Sequence, residues 1–229
     1  MPQTAKKLNV EIKKNIGIGY LLHMPDGHKM AKETKYPLVI FLHGSGERGE
    51  DVSKLKVYAI PKMVEKKSPL LGGYEFIAVS PQCREGVWWH EQEDEFGAFL
   101  NHCLETLPVD TSRIYLTGLS MGGYGTWHFA MKYPHAFAAG VPICGGVIDE
   151  EMDRVGRIAH LPLWVFHGTD DRAVPLSKSA IPVAILNEMG GDVRFTVYPG
   201  VGHDSWTAAY DTPALYKWMF AQRNEYFSI

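Results

Sequence analysis

Short, continuously apolar runs rich in β-branched residues recur from residue 36 onward, at 36–42, 76–79, 114–116, 139–143, 161–166 and 193–198. A strand with one wet face alternates apolar and polar residues. A strand covered by helices on both faces is apolar throughout. Helical patterns lie between the runs. Phe96, Phe99, Leu100, Cys103, Leu104 and Leu107 fall on one stripe of an amphipathic helix. Thr212-Pro213 reads as an N-cap followed by proline at the first helical position. Residues 15–23 alternate instead and, with the turn residues Pro25-Asp26-Gly27, predict an antiparallel edge hairpin. The pattern as a whole predicts an α/β fold: a doubly wound, mostly parallel β-sheet with helices on both faces and an antiparallel N-terminal edge. Pro182, within the helical pattern after Ser177, predicts a kink or a later helix start.

No repeat, low-complexity stretch or linker divides the chain, and 229 residues can bury one large core, so residues 1–229 are read as a single domain. A net charge of −3 argues against nucleic acid or an anionic membrane as the main partner. The three cysteines, Cys83, Cys103 and Cys144, are spaced neither as a disulfide framework nor as a zinc site, and inert thiols are expected. No apolar run approaches the roughly 20 residues that span a bilayer. Lys6-Lys7 are followed by no apolar stretch of signal-peptide type. A cytoplasmic location is the simple expectation, and a secreted protein whose leader has been removed reads the same way.

The reactive residue types lie just past the strand-like runs. Gly118-Leu119-Ser120-Met121-Gly122 follows the run at 114–116 and opens a helix. A serine at the apex of a tight strand-to-helix turn points its hydroxyl into a cleft, and flanking glycines permit the backbone path. The Met121 N–H is then placed to bind an oxyanion at the helix N-terminus. His43-Gly44-Ser45 follows the first run, His167-Gly168-Thr169-Asp170-Asp171 the fifth, and Gly202-His203-Asp204 the last. A hydroxyl nucleophile needs a base, and the base needs an acid to fix its tautomer. Serine, acid and histidine arrive in that order.

These motifs resemble the α/β-hydrolases, over roughly residues 15–222. The wording at 41–49 (FLHGSGERG), 79–89 (VSPQCREGVWW), 116–127 (LTGLSMGGYGTW), 166–175 (FHGTDDRAVP) and 200–206 (GVGHDSW) is similar to compact esterases related to the prolyl-oligopeptidase catalytic domain, the polyhydroxybutyrate depolymerases and the feruloyl esterases. The resemblance implies Ser120 as nucleophile, His203 as general base and later acid, and Asp171 as the acid. Asp171 is preferred to Asp170 because it fits the spacing to Val174-Pro175, and Asp204 is expected to cap its loop. The resemblance further implies an oxyanion hole of the Met121 and Ser45 amides, with His43 bracing the loop and His167 structural at a strand end. Glu47 and Arg48 either pair to hold that loop or form a solvated pair. Trp88, Trp89 and Trp206 are expected at the substrate pocket, with core packing under the loop as the alternative for Trp88 and Trp89. Trp127 and His128 are expected to pack, and 47–68 or 147–160 are the stretches able to serve as a lid. The implied activity is hydrolysis of small or aromatic esters, feruloyl-type and polysaccharide-linked ones included, without metal or cofactor. A serine peptidase or amidase, a thioesterase, and a non-catalytic binding protein of the same fold are the alternatives.

Overall fold

The structure is a computed structural model that describes residues 7, 13–25 and 34–229. Among the described residues, seven strands form one sheet in the order β1-β3-β2-β4-β5-β6-β7. They are β1 (Tyr20–His23), β2 (Tyr36–Leu42), β3 (Ile77–Pro81), β4 (Val109–Leu119), β5 (Ala139–Ile143), β6 (Leu163–Gly168) and β7 (Val193–Tyr198). All neighbours are parallel except β1 and β3. The helices are α1 (Ala59–Glu65), α2 (Glu93–Thr106), α3 (Met121–Lys132), α4 (Ser177–Glu188), α5 (Trp206–Tyr210) and α6 (Pro213–Ala221), with shorter 3₁₀ segments between them. No helix among the described residues is long and apolar enough to cross a membrane.

Every residue of β2 and β3 is buried, as continuous apolar runs require. Alternate side chains of β2 feed two cores. Leu38, Ile40 and Leu42 join Phe96, Phe99 and Leu100 of α2 with Trp127 and Phe129 of α3. Val39 and Phe41 join Ile60 and Met63 of α1 with Leu215, Tyr216 and Met219 of α6. Each large apolar side chain so buried contributes about 1.5–3 kcal/mol. The predicted stripe of α2 is the face on Phe129, where the Phe96 and Phe129 rings stack at 3.7 Å.

The antiparallel edge is present, but its partner is not the next strand in the chain. Tyr20–His23 pairs with β3, from Tyr20 opposite Pro81 to His23 opposite Ala78. Both edges of β2 are already taken by β3 and β4, which leaves the outer edge of β3 free. The turn at Asp26-Gly27 lies outside the described residues. Helix α4 runs through Pro182 from Ser177, so its start is not delayed. The Lys178 carbonyl, which Pro182 has no N–H to bond, accepts instead from Val147 N at 3.3 Å. Neither stretch able to act as a lid stands off the body: Leu55 and Ile60 bury the first, Val155 and Ile158 the second.

Candidate active site

The site forms where β2, β4, β6 and β7 end, the edge at which open parallel sheets place their functional groups. Ser120 occupies the turn between β4 and α3 with φ 53° and ψ −117°. A positive φ costs a non-glycine residue about 1–3 kcal/mol and persists only where the surroundings impose it. Here the backbone imposes it. A Cβ at Gly122 would run into the carbonyls of Leu42 and His43, and one at Gly118 into the carbonyl of Gly122. Ser120 N donates to Ile143 O at 3.0 Å, tying the turn to the end of β5.

Three loops converge on this serine. Ser120 Oγ lies 2.8 Å from His203 Nε2, and His203 Nδ1 lies 2.7 Å from Asp171 Oδ2. Asp171 Oδ1 accepts from the amides of Ala173 and Val174, both at 2.9 Å. The Asp171 carboxylate is fully enclosed, whereas the His203 ring is about a quarter open to solvent. Asp170 is exposed and accepts only from its neighbour Thr169 Oγ1. Asp204 accepts from the amide and hydroxyl of Thr207, which caps α5.

Met121 opens α3, and Ser45 opens the 3₁₀ turn Ser45–Glu47 after β2. The first amides of a helix have no intrahelical acceptor, so both are available to an oxyanion. The first loop is held from beneath. His43 Nδ1 donates to Gly44 O at 2.5 Å, and Nε2 accepts from Cys83 N at 2.9 Å. Burial lowers the imidazole to about 4, so the ring is neutral and fixed as the Nδ1–H tautomer. Arg48 does not rely on Glu47: its guanidinium donates to Ser45 O at 2.9 Å and Val87 O at 3.3 Å, stitching the first loop to the segment carrying the paired tryptophans. Burial raises the half-buried Glu47 carboxyl.

The paired tryptophans part company. Trp89 is 1% exposed and packs under the first loop, so packing, not the pocket, is its place. Trp88 is 41% exposed. Its ring meets the Tyr124 ring edge-on at 6.0 Å in a groove of about 280 Å³ that His90, Ile148, Asp149 and Lys178 complete. Tyr124 went unremarked in the sequence, although it sits one helical turn past Ser120, where the i+4 rule places a neighbour. Trp206 sets its ring edge-on to His203 at 5.4 Å and to Tyr58 at 5.6 Å, lining a second groove of about 320 Å³ with Lys62 and Tyr210. Trp127 and His128 are buried, the latter with Nδ1 2.9 Å from Glu151. All three thiols are buried, and burial pushes each up to about 12.

Comparison with known proteins places this arrangement. The chain is 30% identical over 101 residues to carboxylesterase SOBER1 of Arabidopsis thaliana, covering 42% of this chain and 43% of that protein. It is 26% identical over 200 residues to a protein of Oryza sativa subsp. japonica that bears the name probable carboxylesterase, covering 76% of this chain and 84% of the relative. The crystal structure of a thermostable esterase superposes with a TM-score of 0.79 at 36% identity, over 90% of this chain but 59% of that one. The family model described as phospholipase/carboxylesterase matches residues 76–212, more than half of the chain, with Ser120, Asp171 and His203 inside the match. With an α/β-hydrolase sheet and this match, the chain belongs to the phospholipase/carboxylesterase family.

Proposed function

We propose that this chain hydrolyses carboxylic esters through an acyl-enzyme formed on Ser120. The observation that carries the reading is the unbroken hydrogen-bonded line from Ser120 Oγ through both nitrogens of His203 to Asp171. His203 Nε2 takes the hydroxyl proton as Oγ attacks the ester carbonyl. Asp171 holds the Nδ1–H tautomer and faces the imidazolium that results. The amides of Met121 and Ser45 receive the oxyanion, a contribution worth about 10²–10³ in rate per donor. His203 then gives its proton to the leaving alkoxide and activates the water that frees the acid. The Trp88–Tyr124 groove supports a small or flat acyl group, which includes feruloyl-type and polysaccharide-linked esters among the substrates to test.

The test compares 4-nitrophenyl acetate and methyl ferulate with a matched anilide and a matched thioester, for the native chain and Ser120→Ala. Ester turnover is expected to exceed anilide turnover, and Ser120→Ala to fall by at least ~10⁴-fold with the fold intact. Turnover retained in the purified variant removes the serine from the mechanism. A faster anilide makes the protein an amidase, and failure of Ser120 to react with a fluorophosphonate makes it a binding protein.

A further inference from the structure

His167 is the penultimate residue of β6, its side chain is fully buried, and no step proposed above uses it. Its neighbours nevertheless dictate how many protons it holds. Nε2 lies 2.9 Å from Val174 O and 3.3 Å from Asp171 Oδ2. A carbonyl can only accept, so Nε2 bears hydrogen. Nδ1 lies 2.9 Å from Ser179 Oγ, and Ser179 Oγ in turn lies 2.7 Å from Gly145 O. Gly145 O also can only accept, so the single hydroxyl proton of Ser179 belongs to that contact. The serine oxygen is then left to accept from Nδ1. A bare Nδ1 with Ser179 donating to Gly145 O would set a nitrogen lone pair against the serine oxygen at 2.9 Å with no proton between them, and the remaining assignments fail on the same bookkeeping. If Ser179 donated to Nδ1, two oxygens would face each other at 2.7 Å with no proton between them. If Nε2 were bare, its lone pair would face both Val174 O and the carboxylate. Buried groups left in either state cost about 1–3 kcal/mol each.

We infer that His167 is an imidazolium, protonated on both ring nitrogens, and that it positions and shares the charge of Asp171, so that one buried carboxylate serves two imidazoles. The role assigned to Asp171 rests on the ester-hydrolase reading; the proton count does not. Asp171 Oδ2 faces His203 Nδ1 on one side and His167 Nε2 on the other, while Oδ1 is held by the Ala173 and Val174 amides. Arg172 and Asp170 flank Asp171 in the chain, and Asp204 follows His203. The Cys144 thiol at the end of β5 and the half-buried Tyr124 phenol on α3 are both held neutral by burial. Lys178, beside Ser179 on α4, turns its ammonium to Asp149 at 2.6 Å. On β7 the register partner of His167 is Val197. The cation beyond the carboxylate means that His203 does not face the Asp171 charge alone. It also couples the acid loop to the nucleophile turn. Gly145, the acceptor for Ser179, packs backbone to backbone on Gly123 of α3.

The experiment reads the proton count first. In the full chain, labelled with ¹⁵N-histidine and held at neutral pH, both His167 nitrogens are expected to carry one-bond N–H couplings, with the signals assigned by their loss in His167→Gln. A His167 nitrogen without a proton overturns the inference, and this readout needs no substrate, so it stands even where ester hydrolysis fails. The second readout is the acid limb of kcat/KM for 4-nitrophenyl acetate. Ser179→Ala removes the acceptor that demands the Nδ1 proton while leaving Val174 in place, and His167→Gln removes the charge outright. Both are expected to move the acid limb to higher pH. A limb unmoved in Ser179→Ala, the milder change, overturns the shared-charge role even if rates fall.

Discussion

Trp89 Nε1 donates to the carbonyl of His43 at 3.1 Å, so the larger of these two side chains holds the end of β2 from which the Ser45 loop departs. The rings also meet edge-on at 5.1 Å. A Cβ at Gly125 of α3 would collide with Trp89, so the indole is wedged between the loop and the helix that Ser120 precedes. Trp89→Phe keeps most of the packing and removes the donor. It is expected to cost about 1–2 kcal/mol in urea unfolding and to lower kcat while leaving KM for short esters near its native value. A raised KM with kcat unchanged would return Trp89 to the substrate pocket.

His43 makes stability depend on pH. Its ring is near 6.5 when unfolded and is lowered by burial to about 4 in the fold. Between these values the unfolded chain binds the extra proton, so stability falls as pH drops through that window. The effect is of the order of 3 kcal/mol if the whole shift is realised. His43→Asn retains a donor toward Gly44 without a titrating ring. It is expected to show a flatter urea midpoint between pH 7 and 4.5, at a lower overall stability; parallel curves would place the pH dependence elsewhere.

Adjacent aspartates allow a matched comparison. Asp171→Asn presents an amide to His203 and disturbs the tautomer, with an expected loss of roughly 10³–10⁴ in kcat. Asp170→Asn changes an exposed group bonded to Thr169 and is expected to stay within about twofold, since exposed changes away from special features are close to neutral. Equal losses in the two variants would undo the assignment of the acid.

Trp88→Ala separates recognition from chemistry. The side chain is 41% exposed and outside both cores, so stability is expected to change by no more than about 1 kcal/mol. KM for methyl ferulate is expected to rise several-fold while 4-nitrophenyl acetate is little affected, as the aromatic wall is lost. A uniform effect on both esters would show that the groove beside Tyr124 does not hold the acyl group.

The parallel sheet was legible because β2, β3 and β5 are buried on both faces and their side chains have no reason to alternate, whereas β7, expected to be covered likewise, lies at the edge and is only part-buried. Strand β4 starts at Val109, ahead of the apolar run at 114–116. Its first half is polar and joins the sheet through the backbone of Tyr36 opposite Val109, which side-chain pattern does not register. Ser120, Asp171 and His203 were legible because each follows a strand within a few residues. The hydrogen bonds of Arg48, His167 and Ser179 were not, since they exist only once distant loops meet. Trp88 and Trp89 show the limit within two residues. Trp88 is extended and Trp89 opens a 3₁₀ turn, and only the fold decides which of the two is covered.

The glycines that let α3 lean on the ends of β2 and β5 leave no side chain in the seam. At Gly122 and Gly123 the seat of the turn that carries Ser120 is therefore made by peptide groups. Trp88 and Tyr124 line a groove outside that seam, so exchanging them leaves the turn that carries Ser120 untouched. The same seam forbids the smallest growth at Gly122, where a single methyl would push the helix off its seat.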